Sequence, residues 1–218
     1  MTAPSTALVP HRGVAEAGTL ETARAHARVG ISNPILGMIL FVASEVMFFA
    51  GLFAAYFNVR LNAAEWPPLV NEQPFPPFEH IHHEILLPIG LTAMLVTSSV
   101  TMQLAVRAIR RGDRTRFLRA LAVTLVLGVL FVTGQAWDYA LQGFGITDTA
   151  FGSTFYTLTG FHGAHVLGGA IMLGVVLYRG MLGQFSARHH DMVEAASLYW
   201  HFVDVVWILL FSTIYLIQ

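Results

Sequence analysis

Glu45 stands in the run Leu40-Phe41-Val42-Ala43-Ser44-Glu45-Val46-Met47-Phe48-Phe49, whose other side chains are almost all apolar. It lies eleven residues beyond Pro34. At 1.5 Å per residue that is about 16 Å along a helix, close to the middle of a hydrocarbon layer about 30 Å thick. An ionisable group there costs about 2.5–3.5 kcal/mol on insertion scales, so it normally faces protein and has a partner. Two roles fit the residue type: a carboxyl that relays or couples a proton, or an acid hydrogen-bonded to a neighbouring helix.

Histidines supply the other reactive groups. His162 and His165 lie in Thr159-Gly160-Phe161-His162-Gly163-Ala164-His165-Val166. Their i, i+3 spacing predicts that both imidazoles share one helix face. Gly160, Ala164 and Gly168 recur every four residues, a pattern that lets a second helix come close. His201 and Asp204 repeat the i, i+3 spacing in Tyr199-Trp200-His201-Phe202-Val203-Asp204. Three histidines and a carboxylate at one depth would suit zinc, copper or non-haem iron. The alternative is buried polar packing between helices, and the residues favour it. One face of one helix cannot place two imidazoles on opposite sides of a haem iron. On that reading, removing His162 or Asp204 strands a buried partner and weakens assembly.

The elements that must carry these groups are five long apolar stretches, roughly Ile35–Phe57, Ile85–Ile109, Phe117–Leu141, Phe155–Tyr178 and Ala195–Ile217. Each is continuous rather than alternating and reaches the ~20 residues a membrane-crossing helix needs. The expected fold is all-α and integral to the membrane, with five transmembrane helices over residues 33–218. All 12 cations are arginine. With five spans, Arg60 alone falls on one side and the other arginines share the opposite side. The positive-inside rule then places the N-terminus inside and the C-terminus outside. Residues 1–32 read as a mobile inner tail. The outer loop, with Trp66-Pro67-Pro68 and Pro74-Phe75-Pro76-Pro77, reads as stiff and extended. His82-His83-Glu84 reads as the interfacial end of the second span, Trp137-Asp138-Tyr139 as an anchor at the end of the third, and Gly112-Asp113-Arg114 as a tight inner turn.

Composition closes off other classes. Hydrophobic residues make up 55% and charged residues 11% of the 218, with a net charge of −1 and no cysteine. Mean hydropathy is +0.61. Without a basic excess no nucleic-acid partner is expected. Without cysteine there is no disulfide framework, iron–sulfur cluster or thiolate nucleophile. No phosphate-binding glycine loop or serine elbow occurs, and no arginine sits inside a span as in a voltage sensor.

Taken in order, the strings Gly37-Met38-Ile39-Leu40-Phe41, Ser44-Glu45-Val46-Met47-Phe48-Phe49, Trp66-Pro67-Pro68, Gly112-Asp113-Arg114, Phe151-Gly152-Ser153-Thr154-Phe155-Tyr156, Thr159 to Val166, Glu194-Ala195-Ala196 and Tyr199 to Trp207 resemble subunit III of the haem-copper terminal oxidases, most closely the cytochrome c oxidase type. The resemblance covers about residues 33–217. It implies an accessory subunit without haem or copper of its own, those cofactors belonging to partner subunits. Such a subunit packs beside subunit I, supports proton uptake, protects against turnover inactivation and binds phospholipid. Glu45 matches the family's buried reactive glutamate, and Arg179 matches by position an arginine on lipid phosphate. Larger members have seven helices, the first two without counterparts here. That implies a bacterial protein of the cytoplasmic inner membrane. Ala136-Trp137-Asp138-Tyr139 departs from the family's usual string by carrying aspartate where glutamate is usual. The equivalent subunit of a quinol oxidase or nitric-oxide reductase, or an independent proton-coupled transporter, are the alternatives.

Overall fold

The structure is a computed structural model that describes residues 31–63, 69–70, 73–74, 86–142 and 144–217. Most of the tail, Trp66-Pro67-Pro68 and His82-His83-Glu84 lie outside the described residues. The helical unit is Pro34–Gln218.

Five helices account for nearly all of it: α1 Asn33–Asn62, α2 Leu86–Arg110, α3 Arg114–Leu141, α4 Ala150–Met181 and α5 Asp191–Phe211. A π-turn, Ser212–Leu216, prolongs α5. All five are long and apolar enough to cross a membrane. Large apolar side chains such as Leu40, Met47, Leu130, Ile171 and Leu209 are exposed, which suits a lipid-facing surface. Within the proline-rich stretch after α1, β1 (Leu69–Val70) pairs antiparallel with β2 (Gln73–Pro74).

The helices run beyond the apolar stretches wherever a polar cap opens them. Asp113 caps α3 by accepting from the Arg116 N–H at 3.0 Å. Thr149 caps α4 by accepting from the Gly152 N–H at 2.8 Å. Both caps satisfy amide groups that the first turn leaves without partners. The α2–α3 turn is tight for a definable reason. Gly112 takes φ +75°, a backbone region that glycine enters without steric penalty. Its N–H meets the Ile109 carbonyl at 2.9 Å, and the Asp113 N–H meets Ala108 at 3.0 Å. The pattern is a Schellman ending. Gly183, at φ +76°, ends α4 in the same way.

Cross-helix contacts fix how the helices alternate. Arg110 at the end of α2 meets Glu194 at the start of α5, with N···O 2.8 Å. Arg114 at the start of α3 donates to the Gly180 and Met181 carbonyls at the end of α4. At the opposite end, the Arg60 guanidinium on α1 donates to the Ile217 carbonyl after α5 at 2.8 Å. Successive spans therefore point in opposite directions. The exceptional cation of the arginine-poor end serves as a carbonyl donor at a helix C-terminus, where positive charge is favoured.

Two tryptophans on α5 bind α2, α3 and α4 into one core. The Trp200 indole lies between Gly128 of α3 and Gly169 of α4; a Cβ built on either glycine would come 2.5 or 2.9 Å from the ring. Its N–H donates to Ser98 Oγ of α2 at 2.9 Å. Seven residues on, Trp207 donates to Thr92 Oγ1 of α2 at 2.9 Å. Its ring meets Phe131 of α3 edge-on at 4.8 Å and stacks on His162 of α4 at 5.1 Å. The Gly160, Ala164 and Gly168 stripe does not provide the close approach its spacing predicts. Ala164 and Gly168 are exposed, and a Cβ at Gly160 or Gly168 would meet nothing nearer than 3.8 Å. Gly169 and Gly180 take that part, because the core-facing side of α4 is the one that receives Trp200 and Phe117.

α1 stands apart from this core. Of its described side chains only Phe49 and Tyr56 are buried. Side chains rather than close backbone packing hold it to α4 and α5. Tyr56 O–H reaches the Thr213 carbonyl of the π-turn at 3.4 Å, and Phe49 meets Phe202 at 6.1 Å.

Candidate functional site

Glu45 is the residue of α1 that makes a polar contact with a side chain of α4. Its Oε2 lies 2.8 Å from Nε2 of His165 on α4. The other ring nitrogen, Nδ1, lies 2.6 Å from the Phe161 carbonyl one turn earlier. A carbonyl can only accept, so Nδ1 carries a hydrogen. That leaves one proton for the Glu45–His165 bond. It rests on the carboxyl, with Nε2 accepting, or on Nε2, with the carboxylate accepting. Either way the pair is neutral as a whole, which avoids an isolated ion in hydrocarbon.

Aromatic rings surround the pair. Phe48 stacks on the imidazole at 6.1 Å, Phe49 meets it edge-on at 4.9 Å, and Phe161 meets Phe48 at 5.0 Å. Tyr199 O–H fixes the backbone by donating to the His165 carbonyl at 3.0 Å. The His165 and Glu45 side chains keep 16% and 18% exposure, so the pair sits at the edge of the α1–α4 junction rather than sealed in the core. The arrangement can hold one proton at mid-span and move it between oxygen and nitrogen without net charge change.

His162 parts from His165 despite the spacing. It is fully buried, and neither ring nitrogen has a hydrogen-bond partner. It is packed by Trp207 and by Phe131, the latter edge-on at 5.8 Å. The expectation of an interhelical hydrogen bond at His162 is therefore corrected: its contacts are ring contacts, and removing it strands no partner. His162→Phe keeps the stack and deletes two unpaired polar atoms, each of which costs about 1–3 kcal/mol when buried. The thermal midpoint of the detergent-extracted protein should stay level or rise. A fall of several degrees would contradict this packing role.

His201 is only partly buried and bridges helices, its Nδ1 2.7 Å from Ser99 Oγ of α2. Asp204 is buried, and neither carboxyl oxygen is hydrogen-bonded. Its Oδ2 stands 3.8 Å from His201 Nδ1. Among the described residues no three His, Asp or Glu side chains come together to hold a metal ion. Glu45–His165 and His201–Asp204 are two separate pairs.

Arg179 closes α4. Its Nε donates to Gln184 Oε1 at 2.7 Å, Nη1 contacts Met192 Sδ at 2.9 Å, and the guanidinium lies 5.4 Å from the Phe185 ring. Tyr139, expected as an interfacial anchor, instead donates to Thr159 Oγ1 at 2.7 Å between α3 and α4, while Trp137 is exposed. Asp138 is buried with Gln142 Nε2 at 3.2 Å. Sequence reasoning missed Ser98, Ser99 and Thr92. Their one available signal was hydroxyls within an apolar run, with Thr92 and Ser98 six residues apart where their partners Trp207 and Trp200 are seven apart.

Comparison with known proteins identifies the family. A family model described as cytochrome c oxidase subunit III matches residues 5–218. Cytochrome c oxidase subunit 3 of Locusta migratoria is 44% identical over 184 residues, covering 82% of this chain and 67% of the relative. The protein of the same name from Scyliorhinus canicula is 42% identical over the same shares. A probable cytochrome c oxidase subunit 3 from Nocardia farcinica is 40% identical over 205 residues, covering 92% of this chain and 96% of the relative. The five-span chain that holds Glu45 against His165 belongs to the cytochrome c oxidase subunit III family.

Proposed function

We propose that this chain is the redox-inactive subunit III of a proton-pumping cytochrome c oxidase in a bacterial cytoplasmic membrane, with its arginine-rich end inside. Haem and copper reside in partner subunits, and this chain packs beside subunit I. The Glu45–His165 pair carries the functional part of the reading. A single proton held in a neutral, partly accessible pair can be passed on without the barrier of an isolated charge in oil. The pair thereby supports proton uptake by the catalytic subunit and limits its inactivation during turnover. Arg179 is a phospholipid contact in this reading. Gln184, Met192 and Phe185 hold its guanidinium at the span boundary, where a planar fork suits a phosphate.

Affinity purification on this chain tests the assignment. Subunit I should co-purify in a one-to-one ratio, with haem and copper tracking subunit I. Stoichiometric haem or copper in the isolated chain, or its purification without a catalytic subunit, would overturn it.

A further inference from the structure

The outer side of α2 and α5 carries polar groups that no described element of this chain covers. His201 bonds Ser99 through Nδ1 at 2.7 Å, and Asp204 stands 3.8 Å behind the same nitrogen. Nδ1 therefore faces the bundle, and Nε2 is turned away from it. The side chain is 35% exposed, and Nε2 makes no hydrogen bond with any described residue. One turn along α2 from Ser99, the Gln103 carboxamide is half-buried and likewise makes no hydrogen bond with a described residue. Both groups lie deep in the membrane. Ser99 is thirteen residues beyond the start of α2, about 20 Å along it, and His201 is ten residues beyond the start of α5, about 15 Å along it. The surface around them is apolar, with Val96 and Val100 of α2 and Val205 of α5 exposed. α1 does not cover this side. It meets α5 through Phe41–Tyr199 and Phe49–Phe202, on a different face of the helix.

Acyl chains offer neither donor nor acceptor, so a ring nitrogen and a carboxamide turned to lipid at this depth stay without partners. Polar side chains within spans normally face protein and are answered by hydrogen bonds from another helix. The neighbouring valines are short and leave the ring within reach of such a helix. A second copy of this chain answers poorly. In a two-fold pair each Nε2 meets its own counterpart, and two rings in the same tautomer present two donors or two acceptors. A span of different sequence has no such conflict. Resting on the reading of this chain as an oxidase subunit, we propose that the α2–α5 outer face, centred on His201 and Gln103, docks on a membrane-spanning helix of the catalytic subunit that carries hydrogen-bonding side chains at mid-depth. Glu45 takes no part in this contact.

The test uses the whole complex. A photoreactive diazirine amino acid is placed at Val205, one turn from His201 on the same face. Irradiation in the native membrane should join this chain to the catalytic subunit. In detergent, His201→Phe should weaken the hold of the tagged chain on the catalytic subunit about threefold, and His201→Phe/Gln103→Leu about tenfold, the scale of one and two hydrogen bonds between membrane helices. Ser99→Ala removes the bond within the chain, leaves Nε2 in place and should hold the partner as the parent does. Helix content of every variant should match the parent. An effect of Ser99→Ala as large as that of His201→Phe would make the internal bond the cause and overturn the proposal. Cross-links confined to lipid, to a second copy of this chain or to another subunit, while the catalytic subunit still co-purifies, would overturn it too and leave the proposed function standing. A parent preparation without any catalytic subunit would overturn the proposed function and this contact with it.

Discussion

Trp200→Ala should destabilise the protein by about 2–4 kcal/mol, more than any other single truncation in the bundle. Removing a buried tryptophan from a soluble core costs about 3–5 kcal/mol, part of it transfer free energy and part the cavity left behind. In a membrane the transfer part shrinks, because a separated helix exposes the indole to lipid rather than to water. The packing part remains large here. The slot between Gly128 and Gly169 is shaped by the indole itself, and no neighbouring side chain projects from either glycine to fill it. Ser98 Oγ also loses its donor. Because one side chain touches α2, α3 and α4, the loss loosens three interfaces together. Trp200→Phe should cost about 1 kcal/mol, since a phenyl ring fills much of the slot and only the hydrogen bond disappears. Titration of the extracted protein with a denaturing detergent, followed by circular dichroism, measures both. The order parent, Trp200→Phe, Trp200→Ala is expected. Indistinguishable midpoints would mean that the slot is not what holds α5.

The second large effect concerns α1. Glu45→Ala leaves His165 Nε2 without a partner at the junction of α1 and α4, at about 1–3 kcal/mol. Glu45→Gln should be nearly neutral in stability. With Nδ1–H committed to the Phe161 carbonyl, Nε2 is free to accept from the glutamine amide, so the hydrogen bond survives while the shared proton is gone. A double-mutant cycle with His165→Ala isolates the pair, and a coupling of about 1 kcal/mol or more is expected. Additive single effects would show that the two side chains do not act on each other.

Much of this architecture is legible in the amino-acid order alone. Apolar runs separated by polar islands, arginine-rich at every second one, mark five spans, because hydrocarbon admits only segments that satisfy their own backbone. Their true starts are hidden there. Asp113 and Thr149 begin helices with polar caps, which hydropathy reads as loop. Glu45 and His165 announce themselves as groups out of place in oil, yet their union across the sequence does not. The i, i+3 spacing of His162 and His165 misleads for a geometric reason. Three residues turn a helix through about 300°, so the two side chains diverge by roughly 60°. That is enough to send His165 to α1 and His162 into the aromatic core. The tryptophan slots are invisible as well, since a glycine opposite an indole has no local signature when the partner lies on another helix.

The proposed function has Glu45 and His165 share a proton that the oxidase uses. The most direct measurement is made on the purified complex carrying Glu45→Gln, reconstituted in vesicles. Protons translocated per electron are followed together with the number of turnovers before activity is lost. Normal subunit composition, a lower proton-to-electron ratio in sustained turnover and earlier inactivation than in the parent are expected. A variant complex that matches the parent in both quantities would contradict the shared-proton role and leave Glu45 as a hydrogen-bonding link between two helices.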